Sequence, residues 1–303
     1  MSEHSSGEQS QGGEGVELKN AEFMARTKSF TRRSRDLKPA LERTFEKHRD
    51  TYVIGVPRDI GLTTVRPDFR LSPTEVFGRE APLVVEVGSG RGEQMLTAAA
   101  SNPERDYLAF EVWVPGLARL AAKAGEAGLT NIRVIEADAQ LALKSILDEA
   151  TVSELWTFFP DPWRKSRHHK RRLVSDDFAE TVARVLEDGG LWRLATDWEN
   201  YAGQMLGVLS RADELENPYE LESVAPQDAM QEAGPSTGQS AGPDTELDGA
   251  QDAAEGTVQV PAPETGGFSP RFAGRVFTHF EERGAKAGRS AWDLVAVRLP
   301  RTP

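Results

Sequence analysis

The sequence predicts an α/β fold with a mostly parallel central sheet and helices on both faces. From Ala81 to about Ala212, short apolar runs rich in Val, Ile and Leu alternate with segments whose apolar residues recur at helical spacing. The first of these runs ends at Gly88, as is typical of a buried strand that leads into a turn. Because each strand is followed by a helix, successive strands are expected to lie parallel and to be joined by crossover helices.

The predicted elements follow in a regular order. Five strands are predicted, with the sequences PLVVEVG, DYLAFEVW, NIRVIEAD, VSELWTFFPDPW and GLWRLATDW. The predicted helices are GRGEQMLTAAASN, VPGLARLAAKAGEAGL, AQLALKSILDE, SDDFAETVARVLEDGG and ENYAGQMLGVLSRA, with an earlier helix from about Pro39. Asn102-Pro103 and Gly128 are typical helix ends, and Ser175 is a typical N-cap. A closing strand, AWDLVAVRL, is expected to pair antiparallel at the edge of the sheet.

Charge is distributed unevenly along the chain. The formal net charge is −12, but residues 222–267 contain nine acids and no Lys or Arg. This stretch is also rich in Gly, Pro, Ala and Gln, which predicts a disordered acidic insertion. Residues 1–25 are predicted to be a disordered acidic tail and residues 26–80 a basic N-terminal extension, so the main domain would span 81–221 and 268–303. The net charge therefore does not exclude a polyanionic partner.

Composition excludes several classes of site. The chain contains no cysteine, which excludes disulfides, thiolate metal sites, iron–sulfur clusters and cysteine nucleophiles. Its five histidines are scattered, and no metal site is expected. The sequence has no secretory signal and no run of about 18 apolar residues, so we expect a cytoplasmic protein without a membrane segment. A monomer or a weak homodimer is expected.

A glycine-rich loop, Glu86-Val-Gly-Ser-Gly-Arg-Gly, joins the first predicted strand to the first helix. Gly88, Gly90 and Gly92 allow a tight turn and close approach of a ligand to the backbone, which is more than a plain turn requires. A dinucleotide site would have its third glycine where Glu93 stands, and an acid there opposes a phosphate. The pattern instead resembles motif I of class I S-adenosylmethionine-dependent methyltransferases, whose ligand carries positive charge and no phosphate.

Two further acids follow predicted strands at the edge where open α/β sheets bind ligands. Glu111 ends the second strand, where a carboxylate can accept hydrogen bonds from both ribose hydroxyls. Asp138 ends the third strand and is placed to accept a hydrogen bond from an adenine amino group. Either acid alone would be interpreted as a solvated loop residue. Together with Glu86 and the glycine loop, they predict a binding site.

The segment FFPDPWRKSRHHKRR follows the fourth predicted strand and combines a rigid turn with a dense basic run. Pro160 and Pro162 restrict the backbone around Asp161, and six of the nine residues 164–172 are Lys or Arg. This density of charge beside the predicted site favours a nucleic-acid partner over a merely solvated face. Trp163 is placed either to stack on a base or to hold the turn.

The acceptor predicted for a methyl group is a base nitrogen. Methylation of a pyrimidine C5 and radical methylation usually require cysteine, which this chain lacks. Guanine N7 has a lone pair and no proton to remove, so it needs only alignment with the methyl group. Asp161 is placed to accept hydrogen bonds from the guanine edge and to favour positive charge developing on the base.

The chain resembles the bacterial tRNA (guanine-N7-)-methyltransferase family from about Lys28 to Arg298, outside the acidic insertion. The segments that carry the resemblance are KSFTRRSRDL, EVGSGRGE, FPDPWRKSRHHKRR, LATDWENYAGQML and THFEERGAKAGRSAWDL. The resemblance implies a Rossmann-like class I methyltransferase fold, S-adenosyl-L-methionine as cofactor, and tRNA as partner. It also implies that a guanine in the tRNA variable loop is converted to 7-methylguanosine.

The resemblance further implies functions for individual residues. The cofactor-binding residues would be Glu86, Gly88, Gly90, Gly92, Glu111, Asp138 and Asp161, with Asp161 also the active-site acid. The substrate-binding residues would be Lys165, Asp197, Thr278, His279, Phe280 and Glu281. The RNA-binding residues would be Arg167, His168, His169, Lys170, Arg171 and Arg172. His279 departs from the family's T-[KR]-[FY]-E segment, whereas Asp197 independently ends the fifth predicted strand.

Two other functions stay open at the level of sequence. A non-catalytic RNA-binding protein with a degenerate methyltransferase fold would keep the basic run, but the intact glycines and acids argue against it. A methyltransferase for a small molecule or a protein would keep the glycine loop, but would not need the basic run. Binding of S-adenosylmethionine tests the first alternative, and the salt dependence of RNA affinity tests the second.

Overall fold

The computed structural model describes residues 35–219 and 266–302. The predicted acidic tail, 1–25, lies outside these ranges. So does the predicted acidic insertion, 222–267, except for its last two residues, Gly266 and Gly267.

A central sheet of seven strands forms within the described residues, in the spatial order β3-β2-β1-β4-β5-β7-β6. Strands β1 to β5 pair in parallel, and β7 lies antiparallel between β5 and β6. The strands are β1 (Leu83–Val87), β2 (Asp106–Phe110), β3 (Ile132–Ile135), β4 (Val152–Phe158), β5 (Leu186–Thr196), β6 (Leu215–Glu216) and β7 (Trp292–Arg298). The prediction of a mostly parallel sheet with an antiparallel C-terminal edge is confirmed.

Helices connect the strands. They are α1 (Pro39–Tyr52), α2 (Pro73–Phe77), α3 (Glu93–Ser101), α4 (Val114–Glu126), α5 (Ala139–Ala142), α6 (Asp176–Val185), α7 (Glu199–Leu209) and α8 (His279–Lys286). The Ser175 side chain caps α6 by accepting a hydrogen bond from the Phe178 amide, as its position in the sequence predicts. None of the helices in the described ranges has the length and apolarity needed to span a bilayer.

Two helices are shorter in the structure than the sequence pattern predicts. AQLALKSILDE forms only α5 as a regular helix; beyond it, the carbonyls of Leu143 and Leu147 accept hydrogen bonds from Arg184. SDDFAETVARVLEDGG leaves the helix after Val185, because Leu186 pairs with Val152 and begins β5. Tertiary contacts therefore override local helix propensity at both places.

The sheet is buried on both faces, which explains why its strands are continuously apolar. All five residues of β1 are buried. The largest fully buried side chains include Trp156, Trp192, Tyr107 and Tyr201. The two indole N–H groups donate hydrogen bonds to Glu154 (3.0 Å) and Thr157 (3.1 Å), so these large rings are buried without an unpaired donor.

The N-terminal helix α1 packs on α4 and covers the β3 edge of the sheet. His48 lies against Gly125, where any side chain would clash with its ring. The Tyr52 hydroxyl donates to the Leu129 carbonyl (2.8 Å), and the Ile54 amide donates to the Val134 carbonyl (2.9 Å). Coverage of this edge protects an otherwise unpaired strand.

Candidate active site

The carboxyl ends of strands β1 to β4 open into one pocket. Its lining consists of residues 86–91 with 93 and 94, residues 110–113, residues 137–140, residues 158–161 with 163, 171 and 173, and residues 275, 278 and 280. Because the strands are parallel, their carboxyl ends meet at a single edge, where ligands of this fold class bind. The site residues predicted at strand ends β1 to β4 therefore lie together.

The glycine loop has three left-handed residues with different functions. Gly88, Gly90 and Gly92 have φ values of 77°, 55° and 76°. Gly88 and Gly90 line the pocket, but Gly92 does not. A Cβ on Gly92 would lie 2.7 Å from Leu120 Cγ, so this glycine permits close packing of α3 on α4. The structure thus gives Gly92 a packing function, and its predicted contact with the cofactor stays a prediction.

Replacement of Gly92 by alanine is expected to destabilise the fold. The variant Gly92→Ala should lower the free energy of unfolding by about 1–3 kcal/mol more than Gly128→Ala, because only Gly92 adds a steric clash. Gly128 is a matched control, since it also has a left-handed φ (65°) but has open space where a Cβ would stand. Chemical denaturation of both variants measures the difference. Equal losses would show that Leu120 moves aside without cost.

Two predicted acids hold the local backbone in place. Glu111 is buried and accepts hydrogen bonds from the Gly90 amide (2.6 Å) and the Trp113 amide (2.7 Å). Asp138 is buried and caps α5 by accepting a hydrogen bond from the Gln140 amide (3.1 Å). Both carboxylates also line the pocket. Glu111 therefore shapes the glycine loop as well as offering acceptor oxygens to a ligand.

Glu86 is a pocket acid whose pKa is strongly raised. It is 4% exposed, and burial, together with the negative charge of Glu111, raises its pKa to about 8. Five buried side-chain polar atoms lack a hydrogen-bond partner in the part of the chain that the structure describes. Three of them, Glu86 Oε2, Ser89 Oγ and Gln140 Oε1, belong to residues that line this pocket. Such atoms carry a desolvation cost that a polar ligand can relieve.

The turn after β4 is held in an unusual backbone conformation. Phe159 and Trp163 have φ values of 51° and 44°, which are uncommon for bulky residues. The Phe159 amide donates to the Ala195 carbonyl on β5 (2.8 Å). Asp161 lies between these two residues, is exposed, and lines the pocket. Asp161 therefore borders both the pocket and the solvent.

The structure shows how Trp163 is held. Its ring is half-buried and lines the pocket. The Arg171 guanidinium lies 5.1 Å from the ring centroid, and the His168 ring meets its edge at 5.9 Å. The aromatic residue of the turn and the basic run that follows are thus packed as one unit.

The basic run forms a short 3₁₀ helix, Ser166–Arg171, with two kinds of side chain. Arg164, Lys165, Arg167 and Lys170 are exposed, and His168, His169 and Arg171 are half-buried. Arg172 is only 3% exposed.

Arg172 anchors the turn from inside. Its guanidinium donates to the Pro162 carbonyl (2.8 Å), to Gln204 (2.8 Å) and to Asn200 (2.9 Å), and it lies over the Tyr201 ring. A guanidinium used in this way is not available to a phosphate. The structure therefore departs from the prediction that Arg172 contacts RNA.

The C-terminal segment brings two of its four predicted substrate residues to the pocket. Thr278 and Phe280 line it, and Phe280 is 49% exposed. Glu281 is instead buried, and its carboxylate binds the guanidinium groups of Arg271 and Arg275. His279 is outside the pocket lining, with its ring nitrogen 3.8 Å from Glu282. Glu281 and His279 thus face the protein and the α8 surface rather than the pocket.

Lys165 and Asp197 are not part of the pocket lining either. Asp197 accepts a hydrogen bond from Arg289 Nε (2.8 Å), and Gly284 on α8 comes so close that a Cβ there would lie 2.6 Å from Asp197 Oδ2. Lys165 is exposed at the start of the basic run. The described residues contain no group of three or more His, Asp or Glu placed to hold a metal ion.

Comparison with known proteins places this geometry in a family. A family model described as "Putative methyltransferase" matches residues 80–239. The tRNA (guanine-N(7)-)-methyltransferase of Paenarthrobacter aurescens (strain TC1) is 43% identical over 281 residues, covering 90% of this chain and 91% of that protein. The protein of that name from Cutibacterium acnes (strain DSM 16379 / KPA171202) is 41% identical over 271 residues, covering 89% and 83%. The chain belongs to the tRNA (guanine-N(7)-)-methyltransferase family.

Membership of the tRNA (guanine-N(7)-)-methyltransferase family confirms the resemblance predicted from the glycine loop and the FPDPW segment. Among solved structures, the chain is similar to 16S rRNA methyltransferase KamB, with a TM-score of 0.44 and 16% identity over 79% of this chain and 99% of that chain.

The sequence analysis assigned no binding or positioning function to four residues that shape the site: Glu93, Gln94, Phe159 and Arg275. Gln94 donates to the Gly274 carbonyl (2.8 Å) and accepts from the Val276 amide (2.8 Å). Glu93 accepts a hydrogen bond from the His279 amide (2.8 Å). The partners of Gln94 lie 180 and 182 residues away, so no local pattern signals these contacts. The helix that begins at the glycine loop thus holds the segment that carries Thr278.

Proposed function

We propose that this protein transfers the methyl group of S-adenosyl-L-methionine to N7 of a guanine in the tRNA variable loop, forming 7-methylguanosine. One observation carries the proposal. A pocket containing the buried, unpartnered carboxyl oxygen of Glu86 opens beside Asp161 and Trp163, which lead directly into an exposed basic run. One site thus offers complementarity to a cationic methyl donor, to a base and to a phosphate backbone.

The residues of the pocket fit S-adenosylmethionine. Glu86 would bind the ammonium group of its amino acid part, Glu111 the ribose hydroxyls, and Asp138 with Gln140 the adenine edge. This assignment is supported by the unpartnered oxygens of Glu86 and Gln140, which can accept hydrogen bonds from a ligand. Bound S-adenosylmethionine supplies an electrophilic methyl group on a sulfonium.

Asp161 and Trp163 would bind the acceptor base. The Asp161 carboxylate would accept hydrogen bonds from the donor groups of the guanine edge and stabilise the positive charge that develops on the base. Trp163, held by Arg171 and His168, presents an aromatic wall to the pocket. Because N7 carries no proton, the site needs no general base. Alignment of N7 with the methyl group would supply most of the rate acceleration.

Methyl transfer to tRNA is the direct test. Purified protein, tritiated S-adenosylmethionine and an unmodified tRNA transcript should yield label only in 7-methylguanosine after nuclease digestion. A matched transcript made with 7-deazaguanosine lacks N7 and should accept no label. Label in any other nucleoside, or in the deaza transcript, would contradict the proposal. Binding of tRNA and cofactor without turnover would favour the non-catalytic alternative.

The exposed part of the basic run is expected to bind phosphates. The double variant Arg167→Ala/Lys170→Ala should weaken tRNA binding and reduce the slope of log K against log salt by about 1 for each lost contact. The affinity for S-adenosylmethionine should stay unchanged, since neither side chain lines the pocket.

The matched control for this variant is Lys144→Ala. Lys144 is also exposed, but it pairs with Asp177 away from the pocket. Filter binding at several salt concentrations measures all three proteins. If the slope of log K against log salt in the double variant equals that of the wild type, Arg167 and Lys170 do not contact RNA phosphates.

A further inference from the structure

Arg275 lies where the C-terminal segment meets the turn after β4. Its side chain is 1% exposed. The guanidinium donates to both carboxylate oxygens of Asp293 on β7 (2.7 Å each) and to Glu281 Oε2 on α8 (2.8 Å). This bidentate fork fixes the plane of the guanidinium, a geometry that lysine cannot reproduce.

The same guanidinium packs on the turn that carries Asp161. Its Cζ atom lies 5.3 Å from the ring centroid of Phe159. Phe159 has a left-handed φ of 51°, a conformation that persists in a bulky residue only when its surroundings support it. Asp161 follows two residues later. Arg275 thus supplies a rigid, charged plane against the strained start of the turn.

The backbone of Arg275 is held from the opposite side of the pocket. Gln94 bonds the Gly274 carbonyl and the Val276 amide, the residues on either side of Arg275. Gln94 is 2% exposed and belongs to α3, which begins directly after the glycine loop. The segment around Arg275 therefore connects the helix of the glycine loop to the turn of Asp161, through the hydrogen bonds of Gln94 to Gly274 and Val276 and the contact of Arg275 with the Phe159 ring.

We propose that Arg275 is a positioning residue that, through Phe159, sets the orientation of Asp161 relative to the glycine loop. Although Arg275 lines the pocket, all three nitrogens of its guanidinium donate to Asp293 or Glu281, so its effect is assigned to the contact with Phe159 rather than to contact with the substrate. The effect on turnover rests on the proposed methylation of tRNA, whereas the effect on the turn does not.

The test compares Arg275→Lys with the wild type and with Arg298→Lys. Arg298 is a matched control, because it is also buried (6% exposed) and forms several hydrogen bonds, but it lies away from the pocket. We expect Arg275→Lys to lower kcat for tRNA methylation at least tenfold, with the KM for tRNA and the Kd for S-adenosylmethionine within about threefold of wild type. Arg298→Lys should affect thermal stability alone.

A second variant, Phe159→Leu, removes the ring contact and leaves the ion pairs of Arg275 intact, so the fold is expected to be preserved. It should lower kcat in the same way. In both Arg275→Lys and Phe159→Leu, hydrogen exchange measured by mass spectrometry should be at least fivefold faster in the peptide containing the Phe159 amide. Arg298→Lys should exchange there as the wild type does.

Wild-type kcat and wild-type exchange in Phe159→Leu would overturn the proposal, as would a loss of kcat in Arg298→Lys equal to that in Arg275→Lys. If the wild-type protein fails to methylate tRNA, the proposed function is wrong. The exchange comparison then decides by itself whether Arg275 orders the turn.

Discussion

Replacing Asp161 with asparagine is expected to lower kcat for tRNA methylation by about 100- to 1000-fold, the loss typical of removing one preorganised electrostatic contact. The replacement keeps the shape of the side chain and removes its charge, so the positive charge developing on the base loses its partner. Because Asp161 is exposed, the thermal midpoint should remain that of the wild type. Single-turnover kinetics with saturating tRNA measures the chemical step separately from product release.

The control for Asp161→Asn is Asp59→Asn, another exposed acid, which lies outside the pocket lining. It should methylate tRNA at the wild-type rate. Measuring cofactor affinity in Asp161→Asn distinguishes the two functions predicted for this residue. If the affinity for S-adenosylmethionine falls by the same factor as kcat, Asp161 acts mainly by binding the cofactor. A rate within threefold of wild type would exclude Asp161 from the mechanism.

Glu86 should make cofactor binding depend on pH. Its pKa in the free protein is raised to about 8, so below that pH the carboxyl is mostly protonated and neutral. A cationic ligand prefers the carboxylate and lowers this pKa, so binding releases a proton. Affinity for S-adenosylmethionine should therefore rise by up to tenfold per pH unit as the pH approaches about 8 from below, and level off above it.

The variant Glu86→Gln isolates this effect. It should bind the cofactor weakly and lack the part of the pH dependence that Glu86 contributes. The amino group of the ligand titrates equally with both proteins, so the difference between them reports Glu86 alone. Calorimetry in buffers of different ionisation enthalpy counts the released proton. Identical pH profiles for the two proteins would show that Glu86 does not face the ligand.

The same shift predicts how the stability of the free protein depends on pH. Because the folded-state pKa of Glu86, about 8, lies above its ordinary value of 4.5, the stability that this group contributes is fully present below pH 4.5, is lost progressively as the pH rises towards about 8, and does not change further above it. Unfolding of the free protein should show this loss, Glu86→Gln should not, and saturating cofactor should reduce it.

Features that depend on short segments were predictable from the sequence. The strand–helix alternation predicts the sheet, because strands covered on both faces are continuously apolar and their connections must be helical. Glu86, Glu111 and Asp138 were predictable as one site, because the ends of parallel strands share an edge. The rigid turn at Asp161 was predictable from its flanking prolines. The two-residue strand β6 was missed, because it is too short to show a period.

The sequence by itself therefore determined the fold class, the acids at the strand ends, and the juxtaposition of Asp161 with a basic run. Only the tertiary structure decided which members of each motif face the pocket. Gly92 packs against Leu120, Arg172 is buried beneath the turn, and Glu281 binds two arginines. Arg275 and Gln94 belong to no motif, yet they join the two halves of the site. The physical reason is that spacing along the chain encodes local geometry, whereas burial and pairing depend on residues far apart in sequence that the fold brings into contact.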